Sequence, residues 1–262
     1  MNKLQKISST IKSKGIYGLL RKINGSLKYR VRHKLKERMD SGGGSGFVYH
    51  YYVRGAFEEV HPNVCHNKKA IFVHIPKTAG TSVKNLVGLS PEITMHTKPT
   101  NMVHKKTWDK YTSFTIIRNP LDRFFSNYFF HTSPKYSGGL MSICPELKKM
   151  NVKEYFNRLK KIDSNHIDPQ HEFISHKYSS HILDVVCRLE NIKKDIKKIC
   201  KLFDVSECQL PHKNSSEKYK YDVRVKNRTM EKILKYYKKD FEIFGYKVGG
   251  SKIMKNYVEI ES

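Results

Sequence analysis

Residues 70–82, AIFVHIPKTAGTS, constrain the fold more than any other stretch of the chain. AIFVHI is a short, unbroken apolar run rich in branched side chains, the pattern of a strand buried on both faces. PKTAGTS then turns the chain through small residues, and TSVKNLVGL carries helix periodicity. A strand covered on both faces that passes through a tight turn into a helix belongs in a mainly parallel sheet.

The rest of the chain repeats that alternation. YTSFTIIRNP at 111–120 reads as a second strand ended by Pro120. LDRFFSNYFFH and NVKEYFNRLKKI follow as helices, ILDVVCRLEN holds a further strand, and DIKKICKLFDV and RVKNRTMEKILKYYKKDFEIFGY supply helices toward the C-terminus. The expected fold class is α/β, one domain with a central, mainly parallel sheet flanked by helices. Its bounds are set at 47–250. A basic, roughly helix-periodic extension and the SGGGSG linker occupy 1–46, and 251–262 is a C-terminal tail.

The 262 residues hold 50 Lys and Arg against 24 Asp and Glu, a formal charge of +26. Such a surface attracts polyanions. Nucleic acid, anionic membrane, acidic polysaccharide and a multiply phosphorylated cofactor all satisfy it. The basic N-terminus, with Ile7, Ile11, Leu19 and Ile23 among its apolar positions, packs on the domain or touches anionic lipid as a peripheral helix. Cys65, Cys144, Cys187, Cys200 and Cys208 show neither a CxxC pair nor zinc-ligand spacing, so a reduced, cytoplasmic setting is the simpler expectation.

The turn after the first strand has the layout of an anion-gripping loop. The nucleotide-hydrolase pattern GxxxxGK[ST] is absent: Lys77 precedes Gly80, and no Gly-Lys pair follows. Pro76 stiffens the exit from the strand, Ala79 and Gly80 leave the backbone unencumbered, and Thr81 and Ser82 sit where a new helix exposes free amides. Lys77 adds a mobile positive point able to follow charge onto an oxygen as its bond breaks. A plain strand–turn–helix junction is the alternative. In the second segment, Arg118 ends a strand and Ser126 lies about two helical turns on, so a guanidinium and a hydroxyl can converge on another phosphate. Otherwise Arg118 pairs with Asp122 or a neighbouring carboxylate, and Ser126 is an ordinary helix residue.

IPKTAGTS at 75–82 followed by IIRNPLDRFFSNY at 116–128 resembles the paired 5′-phosphosulfate and 3′-phosphate motifs of sulfotransferases that use 3′-phosphoadenosine 5′-phosphosulfate (PAPS). Within that superfamily the chain is similar to the carbohydrate sulfotransferases, the group of heparan sulfate 2-O- and chondroitin/dermatan-type enzymes and bacterial relatives. HIDPQHEFI at 166–174, VVCRLENIKKDI at 185–196, LPHKNSS at 210–216 and YYKKDFEIFGY at 236–246 extend the likeness in order, over about residues 70–247.

The resemblance implies a P-loop-like domain that moves a sulfuryl group from PAPS to a carbohydrate hydroxyl, releases adenosine 3′,5′-bisphosphate and needs no metal. It implies that Lys77, Thr78, Ala79, Gly80, Thr81 and Ser82 hold the 5′-phosphosulfate, Lys77 at the bridging oxygen, while Arg118 and Ser126 hold the 3′-phosphate. Relatives carry a catalytic histidine in a passage comparable to EITMHTKPTNMVHKKTW, where His96 aligns better than His104. A neutral imidazole suits proton removal near pH 7. His104, His166 and Gln170 are placed at the acceptor, with cofactor contact or a structural role as the alternatives for His166 and Gln170, and Lys213 and Asn214 lie in a loop that closes over the nucleotide or is an ordinary surface loop. Arg188 and Glu190 form an ion pair or brace the site. The expected partner is a carbohydrate, anionic given the charge, rather than nucleic acid. The alternatives are a non-catalytic protein binding polyanions or nucleic acid, and a nucleotide-dependent phosphotransferase lacking its Gly-Lys-Ser/Thr and metal-holding aspartate.

Overall fold

The computed structural model describes residues 61–89, 95–162, 165–210 and 223–261. In chain order these form β1 (Val64–Cys65), β2 (Ala70–Val73), α1 (Gly80–Leu86), the single turns α2 (Pro99–Met102) and α3 (Lys105–Trp108), and β3 (Thr112–Ile117). Next come α4 (Pro120–Thr132), α5 (Val152–Leu159), β4 (Val185–Arg188) and α6 (Ile192–Phe203). The C-terminal part holds β5 (Val223–Lys226), α7 (Asn227–Tyr236), α8 (Lys238–Phe244), α9 (Lys252–Tyr257) and β6 (Val258–Glu261).

The main sheet runs β1-β2-β3-β4, with β2, β3 and β4 parallel and β1 an antiparallel edge. Every residue of β2 is buried, as its unbroken apolar run requires. Phe72 pairs with Phe114 across β2 and β3, their rings stacked 5.0 Å apart. On one face they join Val83 of α1 and Ile196, Ile199 and Phe203 of α6. On the other, Ile71, Val73 and Ile117 pack with Trp108, Phe173 and Phe244. The third cluster lies outside the sheet, where Leu121, Phe124 and Phe125 of α4 meet Tyr155 and Phe156 of α5 and Tyr237. Burying each such aromatic or aliphatic side chain contributes about 1.5–3 kcal/mol.

The sequence reading differs from the structure at both ends of the C-terminal region. Arg-Val-Lys at 224–226, read as helix, is strand β5, which pairs in parallel with β6. Residues 251–261, expected as a tail, pack on the domain: Ile253 is buried, and the Asp122 carboxylate of α4 accepts from Ser251 Oγ and from the amides of Lys252 at 3.3 Å and Ile253 at 2.9 Å. Ser251 caps α9 by accepting from the Met254 amide at 3.1 Å, and the Asp122 carboxylate receives the helix's first two amides across 130 residues, a contact that no local pattern announces.

Cys200 and Cys208 are joined by a disulfide, while Cys65, Cys144 and Cys187 are free. The expectation of wholly reduced cysteines fails for that pair. Asp204, in the left-handed region at φ 55°, reverses the chain after α6 and brings the two Cα atoms to 5.9 Å. No helix among the described residues is long and apolar enough to cross a membrane. The extension at 1–46, and with it the proposed membrane contact, lies outside the described residues.

Candidate active site

The loop between β2 and α1 is built on two non-glycine residues in the left-handed region, Lys77 at φ 64° and Ala79 at φ 63°. Such positions cost about 1–3 kcal/mol each and cluster at ligand sites. Reversals of this kind make concavities in which backbone N–H groups gather around an anion. Thr78 between them is buried and donates its Oγ1–H to the Ile75 carbonyl at 2.9 Å, closing the turn. Gly80 is required for space: a Cβ there would lie 2.0 Å from the His74 ring, which packs beneath the loop. Thr81 is exposed and Ser82 half-buried at the start of α1.

Lys77 is half-buried, its Nζ 3.9 Å from the centre of the Phe130 ring on α4. Burial first, and the Arg118 guanidinium second, push its pKa down to about 8. Arg118 itself donates from Nη1 to the Lys77 carbonyl at 3.3 Å. Parallel pairing of β2 with β3 makes this contact, because it puts the two strands' C-terminal turns side by side.

The second turn is over-determined. Asn119 accepts from the amides of Leu121 at 3.0 Å and Asp122 at 3.4 Å, capping α4, with Pro120 at its first position. The Asn119 amide donates to Glu190 at 2.6 Å, and Glu190 also accepts from Tyr246 Oη at 2.9 Å. Asp122 is occupied by α9 as described, so the alternative of an Arg118–Asp122 hydrogen-bonded pair is not the arrangement found. Ser126 is buried on α4.

Across from Lys77 the imidazoles of His74, His96, His166 and His131 follow one another edge to face, with ring centres 4.4, 5.5 and 4.7 Å apart. His96 Nδ1 lies 3.0 Å from the His74 carbonyl. A carbonyl only accepts, so the proton sits on Nδ1 and the Nε2 lone pair is left to take another. Burial is the largest cause that pushes the His96 pKa down to about 4; the bond to the His74 carbonyl opposes it, and the charges of Lys77, Arg123 and Lys84 add to it. His96 is neutral at pH 7.

The model of the sulfotransferase family matches residues 60–247. The chain belongs to the sulfotransferase family. Comparisons with curated proteins and with solved structures return no match.

In this sulfotransferase the residues singled out from sequence separate into those that line the site and those that hold it. Lys77, Arg118, His96 and His166 come together around the C-terminal ends of β2 and β3. Gln170, placed at the acceptor by the sequence reading, is fully buried: it accepts from the Arg118 amide at 3.0 Å and donates to the Arg118 carbonyl at 2.8 Å. Both halves of its amide are spent on Arg118, so it positions that residue. His104 stands at the entry to α3, its carbonyl accepting from Trp108 N at 3.0 Å. Arg188 and Glu190 do not bond to each other: Arg188 donates to the Phe244 carbonyl and lies over Tyr246, while Glu190 braces Asn119. Lys213 and Asn214 lie outside the described residues.

Three supports went unread in the sequence. Arg123 is fully buried and donates to the carbonyls of His166 at 3.2 Å, Ile167 at 3.4 Å and Asp168. Asp240 accepts from the amides of Gln170 at 2.7 Å and His171 at 2.9 Å. Together with Tyr237, whose hydroxyl donates to Ile167 O at 2.6 Å, they fix the turn that carries His166 and Gln170. The arginine and aspartate stood inside the quoted DRFF and KKDF blocks, and a charge at a core position of an amphipathic helix is the signal that could have marked them.

Proposed function

We propose that this sulfotransferase takes its sulfuryl group from PAPS and passes it to a hydroxyl of a carbohydrate, an anionic glycan being favoured by the +26 charge. The observation that carries the reading is the pairing of the Lys77 turn with Arg118 opposite a histidine whose Nε2 is left as an acceptor. A loop of gathered amides, a lysine and a separate guanidinium form a donor set for a ligand with two phosphate groups. When bound, PAPS supplies an activated sulfuryl group whose bridging S–O bond breaks as the acceptor oxygen bonds to sulfur.

The protein's part is then fourfold. The loop from Lys77 to Ser82 holds the 5′ end, and Arg118 with Ser126 holds the 3′-phosphate. Lys77 stabilises the negative charge that grows on the departing oxygen. His96 Nε2 receives the proton of the attacking hydroxyl, while its Nδ1–H stays on the His74 carbonyl and keeps the ring aimed. An assay of sulfate transfer from PAPS across neutral, uronic-acid and sulfated glycans tests the proposal. Transfer to a glycan hydroxyl supports it; binding of oligonucleotide but not of adenosine 3′,5′-bisphosphate in calorimetry would point to the polyanion-binding alternative.

A further inference from the structure

His131 is a costly residue to place where it stands. Its side chain is fully buried on α4 among the rings of Phe130, Tyr136 and His166, at 5.4, 4.9 and 4.7 Å. Nδ1 lies 2.7 Å from the hydroxyl of Tyr155, itself fully buried. Nε2 is buried with no hydrogen-bond partner among the described residues. Phenylalanine or leucine would fill the space without stranding a polar atom, and a stranded buried nitrogen in a native protein calls for a reason.

Its surroundings supply one. His166 meets His131 edge to face and stands next to His96, the base of the proposed reaction. The backbone of His166 is clamped, because its carbonyl accepts from Arg123 at 3.2 Å and Asn127 at 2.9 Å. The His166 ring is only partly buried and meets both His131 and His96. His96 has its tautomer set by a carbonyl.

We propose that His131 is a positioning residue for the acceptor: its Nε2 bonds a ring nitrogen of His166 once the acceptor is bound, fixing the His166 tautomer so that the other nitrogen holds an acceptor hydroxyl beside His96. Tyr155, His131 and His166 then form a hydrogen-bonded series that ends on the sugar. The inference rests on the sulfotransferase reading of the site and adds to it the residue that orients the acceptor. The proton of the reacting hydroxyl still goes to His96, and no bond is made or broken at His131.

Two amide substitutions separate this role from a structural one. In His131→Gln the side-chain amide reaches the place of Nε2 and gives up the Tyr155 bond; His131→Asn keeps a group at the place of Nδ1 and loses Nε2. The inference requires that Gln stays within a few-fold of wild type in kcat, and that Asn loses about 10- to 100-fold, the size of effect seen when the partner that orients a functional histidine is removed. Donor affinity stays unchanged in both. A structural role predicts the reverse order, since Tyr155 would then be the partner that counts.

If neither variant folds, nitrogen NMR of wild-type His166 decides instead. A single tautomer on adding acceptor to the complex with adenosine 3′,5′-bisphosphate supports the inference, and an unchanged tautomer mixture overturns it. Asn matching or exceeding Gln in an active wild-type background removes this inference alone, whereas a wild type that transfers nothing from PAPS to any glycan removes the proposed function and this inference with it.

Discussion

The guanidinium of Arg118 donates to the main-chain carbonyl of Lys77 at 3.3 Å, so the turn after β2 and the turn after β3 meet. Arg118 is in turn held at its own amide and carbonyl by the two ends of the buried Gln170 side chain. The proposed 3′-phosphate contact is therefore aimed by a residue 52 positions away, and the loop proposed to hold the 5′ end is fixed to it.

That arrangement predicts how donors are told apart. Arg118→Ala should weaken PAPS binding by roughly 10- to 150-fold, since a hydrogen bond to a charged group contributes about 1.5–3 kcal/mol. Adenosine 5′-phosphosulfate, which lacks the 3′-phosphate, should lose less. Ser126→Ala should act in the same sense. Titration calorimetry with both donors checks this, and equal losses would give both residues a purely structural role.

For Lys77 the prediction concerns protons as well as rate. With its pKa at about 8 in the free protein, part of the population is neutral at pH 8 to 9. An incoming anion favours the charged form, so donor binding should take up protons there and weaken as pH rises past 8. Calorimetry in two buffers of different ionisation heat reads the uptake. Lys77→Ala should fold and lose transfer in kcat, and a folded variant turning over near the wild-type rate would reassign the loop.

Removal of the base should look different from removal of the lysine. His96→Ala is expected to lower kcat by about 10²- to 10⁴-fold with donor affinity nearly unchanged. His104→Ala should change little. The reverse result in the same kinetic assay would put the base at His104.

The buried histidines should also set an acid limit of stability. An unfolded histidine takes a proton near pH 6.5, whereas burial holds His61 and His131 down to about 3 and His96 to about 4, and His74 and His166 well below the usual value. Between those values the unfolded state binds more protons. Stability is therefore present above about pH 6.5 and falls progressively toward pH 4 and below. Melting temperatures at pH 7.5, 6 and 5 should decline in that order; a flat series would mean that these rings are not buried in neutral form.

Gly80→Ala tests the close approach under the loop. The added Cβ would meet the His74 ring at 2.0 Å, and that ring is fixed between Phe72 and His96. A loss of about 1–3 kcal/mol in urea unfolding is expected, accompanied by weaker donor binding. Unchanged stability would show that His74 can move aside.

The sequence by itself determined what short range dictates. AIFV had to be a doubly buried strand because nothing polar interrupts it, and Asn119-Pro120 had to open a helix because one caps and the other cannot continue a strand. The two turns proposed to bind anions were legible as turns for the same reason: their residues sit within a short stretch. Tertiary structure alone decided which strands lie side by side, and with that the meeting of Lys77 with Arg118. It decided that both ends of the Gln170 side-chain amide meet Arg118, and that Asp122 receives the first amides of α9 about 130 residues later. Each of these is a polar contact whose partner is chosen by where packed helices and strands bring the chain back, and a one-dimensional pattern holds no record of that return. The line of four imidazoles is the clearest case, for its members come from β2's exit, the segment before α2, the end of α4 and the turn before Gln170, and only close packing at the end of the sheet makes them neighbours and keeps them neutral.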